Sequence, residues 1–224
     1  LKNYTEIVVL LDRSGSMITI KDDMEGAYRE FLKKHKETPS TRITLVQFDD
    51  RDDQDVVYER CKVGEAKALR LEPRGITPLV DAFVKLIDRT GERLRDLPER
   101  ERPNQVVFVV ITDGQENASK TYKRSDVFQR VTHQRERYGW DFIYLGANQD
   151  AIKEAHTYGI PALSTLSVGS SGIEAYSALQ LLTNKSAFYA AENASLPVGR
   201  KSAATVKFTN EDRKKAKLDK PSNS

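Results

Sequence analysis

Three oxygen-bearing side chains stand at alternate positions in Asp12-Arg13-Ser14-Gly15-Ser16, directly after the apolar run Ile7-Val8-Val9-Leu10-Leu11. A second run, Gln105-Val106-Val107-Phe108-Val109-Val110-Ile111-Thr112, also leads into an acid, Asp113, followed by Gly114. Between them, Gly75-Ile76-Thr77-Pro78 places a hydroxyl in a turn ahead of a helical pattern. Asp12, Ser14, Ser16, Thr77 and Asp113 are hard oxygen donors with no imidazole or thiolate among them. Such a set suits Mg2+, which takes about six oxygens in near-octahedral array and keeps some waters; Mn2+ and Ca2+ are the alternatives.

For these residues to meet, the elements that carry them must open at one edge. A continuous apolar run bounded by a Gly/Ser turn reads as a strand buried on both faces. If both runs are central parallel strands, their ends share the edge where open α/β sheets take ligands. The remaining pattern supports this. Ile18 to His35 reads as an amphipathic helix with Met24, Ala27, Tyr28, Phe31 and Leu32 on one face, stopped by Thr38-Pro39-Ser40. Arg42 to Phe48 is a strand, Asp49 to Asp55 an acidic turn, and Val56 to Cys61 an antiparallel return at a sheet edge.

Ala66 to Pro73 reads as irregular or a short strand, Leu79 to Leu94 as a helix, and Arg89 to Arg102 as a solvated helix end and linker. Lys123 to Tyr138 is helical with Gly139 as its stop, and Asp141 to Ala147 is another buried strand. A helix from Gln149 to Tyr158, a short strand from Leu163 to Val168 and a last helix from Gly172 to Ala191 complete the order. The expected fold is α/β and doubly wound (Rossmann-like). It has a mainly parallel six-stranded sheet with one antiparallel edge strand, and helices on both faces. Residues 1–195 are expected to form this domain and 196–224 a flexible tail.

At 38% hydrophobic and 31% charged residues the chain can bury a core, and no run approaches the roughly 18 apolar residues of a membrane span. Nothing reads as a signal peptide, and the opening on Leu1 leaves room for an upstream segment. Cys61 is the single cysteine, which excludes an intrachain disulfide and a Cys-based zinc site. The expected compartment is the cytoplasm. The net charge of +3 is uneven: Arg200 to Lys220 holds eight Lys/Arg against three acids, a local +5, which leaves −2 for the rest.

Asp12-x-Ser14-x-Ser16, Thr77 in Gly-x-Thr-Pro-Leu, and Asp113 in Ile-Thr-Asp-Gly-Gln-Glu-Asn together resemble the metal-ion-dependent adhesion site of von Willebrand factor type A domains. The resemblance spans roughly Glu6 to Ala191 with the order of elements intact. The stretch from Tyr138 to Asp150 is similar to a bacterial and phage-associated branch. The resemblance implies that Ser14 and Ser16 coordinate a cation directly. Asp12 and Asp113 would bind it directly or through water, and Thr77 would alternate between the two. It further implies that a Glu or Asp of a partner protein completes the coordination, and that the last helix can couple to the site. The implied activity is binding, not turnover.

Two other functions compete. Asp12 after a strand also suits the nucleophile of a Mg2+-dependent phosphatase or phosphotransferase. Phosphatases of the haloacid-dehalogenase type carry a second Asp two residues on as general acid, and Ser14 stands there instead. The basic tail could bind nucleic acid through charge, although such runs more often serve as solubilising ends. Val168-Gly169-Ser170-Ser171-Gly172 lacks the Lys of a phosphate-cradling loop. Asp81, Glu116 and Asn117 read as loop or helix residues beside the site. His35, His133 and His156 read as non-catalytic helix residues, and the Asp49 to Asp55 run as an exposed acidic hairpin.

Overall fold

A computed structural model describes residues 4–36, 41–146, 150–168, 172–195 and 206–216. Six strands form one sheet: β1 (Thr5–Asp12), β2 (Thr41–Phe48), β3 (Asp55–Lys62), β4 (Gln105–Thr112), β5 (Asp141–Gly146) and β6 (Thr165–Ser167). Their spatial order is β3-β2-β1-β4-β5-β6. Only β3 runs antiparallel, on β2, as the short acidic return requires. The helices are α1 (Lys21–Lys36), α2 (Leu79–Asp96), α3 (Arg124–Tyr138), α4 (Ala151–Thr157), α5 (Gly172–Ser195) and α6 (Asn210–Lys215). The expected fold class holds.

Alternation along β1 divides the core. Ile7, Val9 and Leu11 face one layer with Met24, Tyr28 and Phe31 of α1 and Leu179 and Leu182 of α5. Val8 and Leu10 face the other, with Phe83 and Leu86 of α2, Val127 and Val131 of α3 and Ala155 of α4. Because both faces are covered, β1 and β4 carry no exposed position at all, which is why their sequences are unbroken apolar runs. Strand order reverses between β1 and β4. Backbone pairing between them ends at Leu11–Ile111, whereas β1 stays with β2 as far as Asp12–Phe48. Beyond that point the two strands part, and a crevice opens at their C-terminal ends.

Several boundaries differ from the sequence pattern for physical reasons. The expected helix from Ile18 begins instead as a 3-10 turn, Gly15–Ile20, with the α-helix starting at Lys21. Its buried residues, Met17 and Ile20, lie three apart, the period of a 3-10 turn. The expected strand from Leu163 shrinks to Thr165–Ser167 because Ala162–Ser164 after Pro161 takes a 3-10 turn. The end of α2 is less solvated than its charges suggest. Arg93 pairs with Glu6, whose side chain is fully buried in β1, and Arg60 lies 3.4 Å from the same carboxylate. Burial raises the Glu6 carboxyl, and Arg93 and Arg60 offset only part of that rise.

The expectation of a flexible tail from residue 196 fails over 206–216, while 196–205 and 217–224 lie outside the described residues. Val206, Phe208 and Ala216 are buried in the core layer that holds α1 and α5. The Phe208 N–H donates to Leu163 O at 2.7 Å, and Arg213 donates to Thr165 O at 2.8 Å and to Ala162 O. Thr209 caps α6, and Asp212 pairs with Lys185 of α5 at 2.9 Å. The apolar pair Val206 and Phe208 is too short a pattern, set among polar residues, to distinguish Phe208 from a tail residue. Phe208→Ala is expected to cost about 3 kcal/mol. A urea midpoint unchanged from wild type would show that this segment does not pack.

His35 of α1 is fixed at the contact with α5. Its Nδ1 lies 2.9 Å from Phe31 O and its Nε2 lies 3.0 Å from Ser186 Oγ. Burial lowers its pKa to about 4. The unfolded ring titrates near 6.5, so between about pH 6.5 and 4 the unfolded chain binds the extra proton. This contribution is complete above that window and is lost as pH falls through it, by about 3 kcal/mol. Burial raises Asp12 to about 6 and gives the opposite slope. The difference between wild type and His35→Gln therefore isolates the effect. Urea unfolding at pH 7 and pH 4.5 should show the two chains converging in stability at the lower pH.

Candidate metal centre

The crevice between β1 and β4 brings the five oxygen-bearing residues together. Asp12, the last residue of β1, is fully buried and directs both carboxylate oxygens to fixed donors. The Ser14 N–H donates to Oδ1 at 2.7 Å, and Thr112 Oγ1 donates to Oδ2 at 2.6 Å. The first bond turns the chain sharply, so that the Ser14 and Ser16 hydroxyl oxygens lie 3.0 Å apart. Ser16 Oγ in turn donates to Asp113 Oδ1 at 2.7 Å. Burial raises the pKa of Asp12 to about 6 despite its hydrogen bonds from Thr112 and Ser14. Asp113 is raised as well, chiefly by burial and against the Ser16 hydrogen bond.

Thr77 approaches from the loop before α2. A Cβ built on Gly114 would lie 2.8 Å from Thr77 Oγ1, 3.5 Å from Asp12 Oδ2 and 3.6 Å from Ser14 Oγ. Those three oxygens therefore surround one small volume that the absence of a side chain at Gly114 keeps clear. Cis ligands of an octahedral Mg2+ sit about 2.9 Å apart, as bond lengths of 2.0–2.1 Å require. The Ser14–Ser16 and Ser16–Asp113 oxygen separations of 3.0 and 2.7 Å match that spacing. The donor chemistry fits as well, since hydroxyl and carboxylate oxygens are what a hard cation takes. Among the described residues no three His, Cys, Asp or Glu side chains gather to hold a metal. The candidate set has two carboxylates, and its other members are hydroxyls.

The loops are held by charges that the sequence pattern did not assign. Gly15 N–H donates to Gly75 O at 3.1 Å and Arg74 N–H to Arg13 O at 2.9 Å, which ties the Ser14 turn to the Thr77 loop. Gly75 has φ +67, a backbone conformation that a residue with a side chain rarely adopts, so glycine is favoured there. Asp49 is fully buried rather than part of an exposed hairpin. It accepts from Arg13 Nε at 2.9 Å, from Arg74 Nε at 2.7 Å and from the N–H groups of Arg51 and Asp52. Burial alone would raise its carboxyl; the Arg74 bond and those N–H donors outweigh this and hold it below the usual range.

On the far side, two acids cap reciprocally. Glu116 accepts from the Val80 N–H at 2.7 Å and so satisfies the first turn of α2. Asp81 accepts from the N–H groups of Lys120, Thr121 and Tyr122, so it is a buried loop anchor rather than a solvated helix residue. Asn117 accepts from the Thr77 N–H at 3.0 Å. Thr112 stands in the motif, but sequence reasoning gave it no role of its own at the site. A threonine ending a strand looks like any β-former, and its role follows only from β1 and β4 being neighbours.

No protein-family model matches the chain, and no curated protein sequence does. The fold itself has clear relatives among solved structures. It superposes on proximal thread matrix protein 1 from the mussel byssus with a TM-score of 0.60 at 15% identity, covering 81% of this chain and 48% of that one. The PilB minor pilin from Streptococcus sanguinis matches with a TM-score of 0.58 at 12% identity, over 88% and 64%. The vWF domain of the type V pili tip protein Mfa5 from Porphyromonas gingivalis matches at 0.54 and 9%, over 91% and 100%. The chain spans about half to just under two thirds of the first two proteins. The expectation of a cytoplasmic compartment is corrected by these matches, which are named for a byssus, a pilin and a pili tip, surface or extracellular structures. A lone cysteine carries no compartment by itself. The likeness establishes a von Willebrand factor type A-like fold, the kind found in these pilin and matrix proteins.

Proposed function

We propose that this chain is a metal-dependent protein-interaction module that binds an acidic side chain of a partner protein. The observation that carries the reading is that oxygens of Asp12, Ser14 and Thr77 surround the clear volume at Gly114 while Ser16 and Asp113 continue from Ser14 as oxygens 3.0 and 2.7 Å apart, at the point where strand order reverses. Ser16 is exposed and Asp113 half-buried, so they stand at the mouth; Asp12, Ser14 and Thr77 are buried beneath them. In this reading Ser14 and Ser16 hold a Mg2+ directly, with Mn2+ or Ca2+ able to replace it. Asp12 acts through water because both its oxygens already accept hydrogen bonds, and Thr77 and Asp113 complete the ring. A cation held mostly by neutral hydroxyls keeps net positive charge, and that charge is what a Glu or Asp of the partner would satisfy.

Turnover suits the geometry poorly. A nucleophilic Asp12 would need an oxygen free to meet phosphorus in line. Here the side chain is fully buried and both oxygens are held by Thr112 and Ser14. Charge-driven nucleic-acid binding has no structural observation in its favour among the described residues, where Arg213 is committed to backbone carbonyls.

Calorimetric titration with Mn2+ and Mg2+ is expected to give one site, lost in Asp12→Asn. Ser16→Ala and Thr112→Val should each weaken it about tenfold, the second because an outer-shell hydrogen bond is removed. Saturating metal at 100 times its Kd should raise unfolding stability by about 2.7 kcal/mol. A wild-type chain that takes up neither ion would overturn the reading. Pull-down with wild type against Asp12→Asn, each with Mg2+ and with chelator, then identifies the partner.

A further inference from the structure

Thr77 brings its hydroxyl to the crevice on a loop, and one residue grips its backbone on both sides. The Thr77 N–H donates to Asn117 Oδ1 at 3.0 Å, and the Asn117 N–H donates back to Thr77 O at 3.2 Å. The pair closes a ring in which a side-chain amide oxygen stands in for a strand neighbour. One residue earlier, the Ile76 N–H donates to Asp50 Oδ1 at 3.0 Å, and before that Gly75 O accepts from the Gly15 N–H at 3.1 Å. Three successive residues of the loop are thus held by three different parts of the chain.

Asn117 lies on the loop after β4, just beyond Asp113 and Gly114. Its two bonds therefore tie the loop that carries one candidate ligand to the loop that carries another. Thr77 cannot move relative to the clear volume at Gly114 without breaking both bonds or carrying the Asp113 loop with it. The alternation between direct and water-bridged contact that the resemblance implies for Thr77 has to overcome that tie. Asn117 is itself exposed, so its part is not core packing. The first turn of α2 has anchors of its own: the Val80 N–H on Glu116 at 2.7 Å, the Asp81 N–H on Ser119 Oγ at 3.0 Å, and the Asp81 carboxylate on the N–H groups of Lys120, Thr121 and Tyr122. These hold the turn when the Asn117 side chain is removed, so its effect on Thr77 can be read apart from folding.

We propose that Asn117 is a positioning residue: it fixes the Thr77 hydroxyl at the centre and thereby sets a preference for a small cation over Ca2+. This rests on the metal-dependent reading above. Mg2+ demands oxygens at about 2.1 Å in near-ideal octahedral array, whereas Ca2+ accepts about 2.3–2.6 Å and irregular geometry. An oxygen pinned through its backbone suits the first ion. A loop free to shift favours the second, because the larger ion tolerates the displacement. Selectivity between the two follows from the rigidity of the site as well as from its donors.

The test is calorimetric titration of the full chain with Mg2+ and with Ca2+, for wild type, Asn117→Ala and Asn117→Asp. In Asn117→Ala the Mg2+ affinity is expected to fall about tenfold, as for other outer-shell losses, and the Ca2+ affinity by clearly less, so that their ratio drops. Asn117→Asp keeps an acceptor for the Thr77 N–H. Its added charge attracts both divalent ions alike, so the ratio should return to the wild-type value. The metal-free urea midpoint of Asn117→Ala should stay close to that of wild type. No loss in Asn117→Ala, equal losses for the two ions, or a ratio that Asn117→Asp does not restore overturns this inference and leaves the metal reading standing. An Asn117→Ala chain that does not fold also overturns it, since Asn117 then serves the fold. A wild-type chain that takes up neither ion overturns both.

Discussion

The bond from Thr112 Oγ1 to Asp12 Oδ2 joins two strands at the point where their backbones stop pairing. Asp12 is fully buried, and a buried carboxylate without donors is costly. Its two donors are therefore a condition of the fold, and each fixes a loop. The Ser14 N–H sets the turn that aligns two hydroxyls; Thr112 holds the end of β4 so that Asp113 meets Ser16. The crevice is a consequence of strand order, and the hydrogen bond sets its width. Burial also leaves Asp12 and Asp113 easier to protonate than ordinary carboxylates, so a nearby cation would relieve a strain that the protein alone does not remove.

Around this point the protein spends buried charge on loops. Asp49 with Arg13 and Arg74, and Asp81 with three N–H groups, are anchors placed just outside the oxygen cluster. Ion groups of this kind contribute little net stability compared with apolar packing, but breaking one leaves an uncompensated charge. They hold positions against motion. Three of the five candidate residues are thus braced by a neighbour of another type: Thr77 and Ser14 through their backbone N–H groups, on Asn117 and Asp12, and Asp12 through its carboxylate, by Thr112. Glycine contributes by omission, at Gly75 through its positive φ and at Gly114 through the space it leaves.

The sheet and the five-oxygen cluster were legible because their signals are local and redundant. A short, β-branched apolar run bounded by turn residues reads as a strand covered on both sides, and two such runs leading into acids set the edge. The Asp12–Ser16 spacing and the turn at Thr77 then needed only the strand order to converge. What was not legible is what depends on partners distant in sequence. Glu6 looks like any strand-end acid until Arg60 and Arg93 are seen beside it. The Asp49 to Asp55 run read as solvated because its cations, Arg13, Arg74 and Lys85, come from elsewhere in the chain. Phe208 was hidden for the same reason, since its neighbours in space are far away in sequence.

The segment that carries Phe208 has a consequence for how copies of this fold can associate. It occupies the carbonyls of Ala162, Leu163 and Thr165 next to the outermost strand. The opposite edge is interrupted where β3 slips register against β2 and Arg60 adopts φ 48. Among the described residues both rims are irregular, which disfavours β-augmentation, the usual route by which sheets recruit a strand from another chain or polymerise.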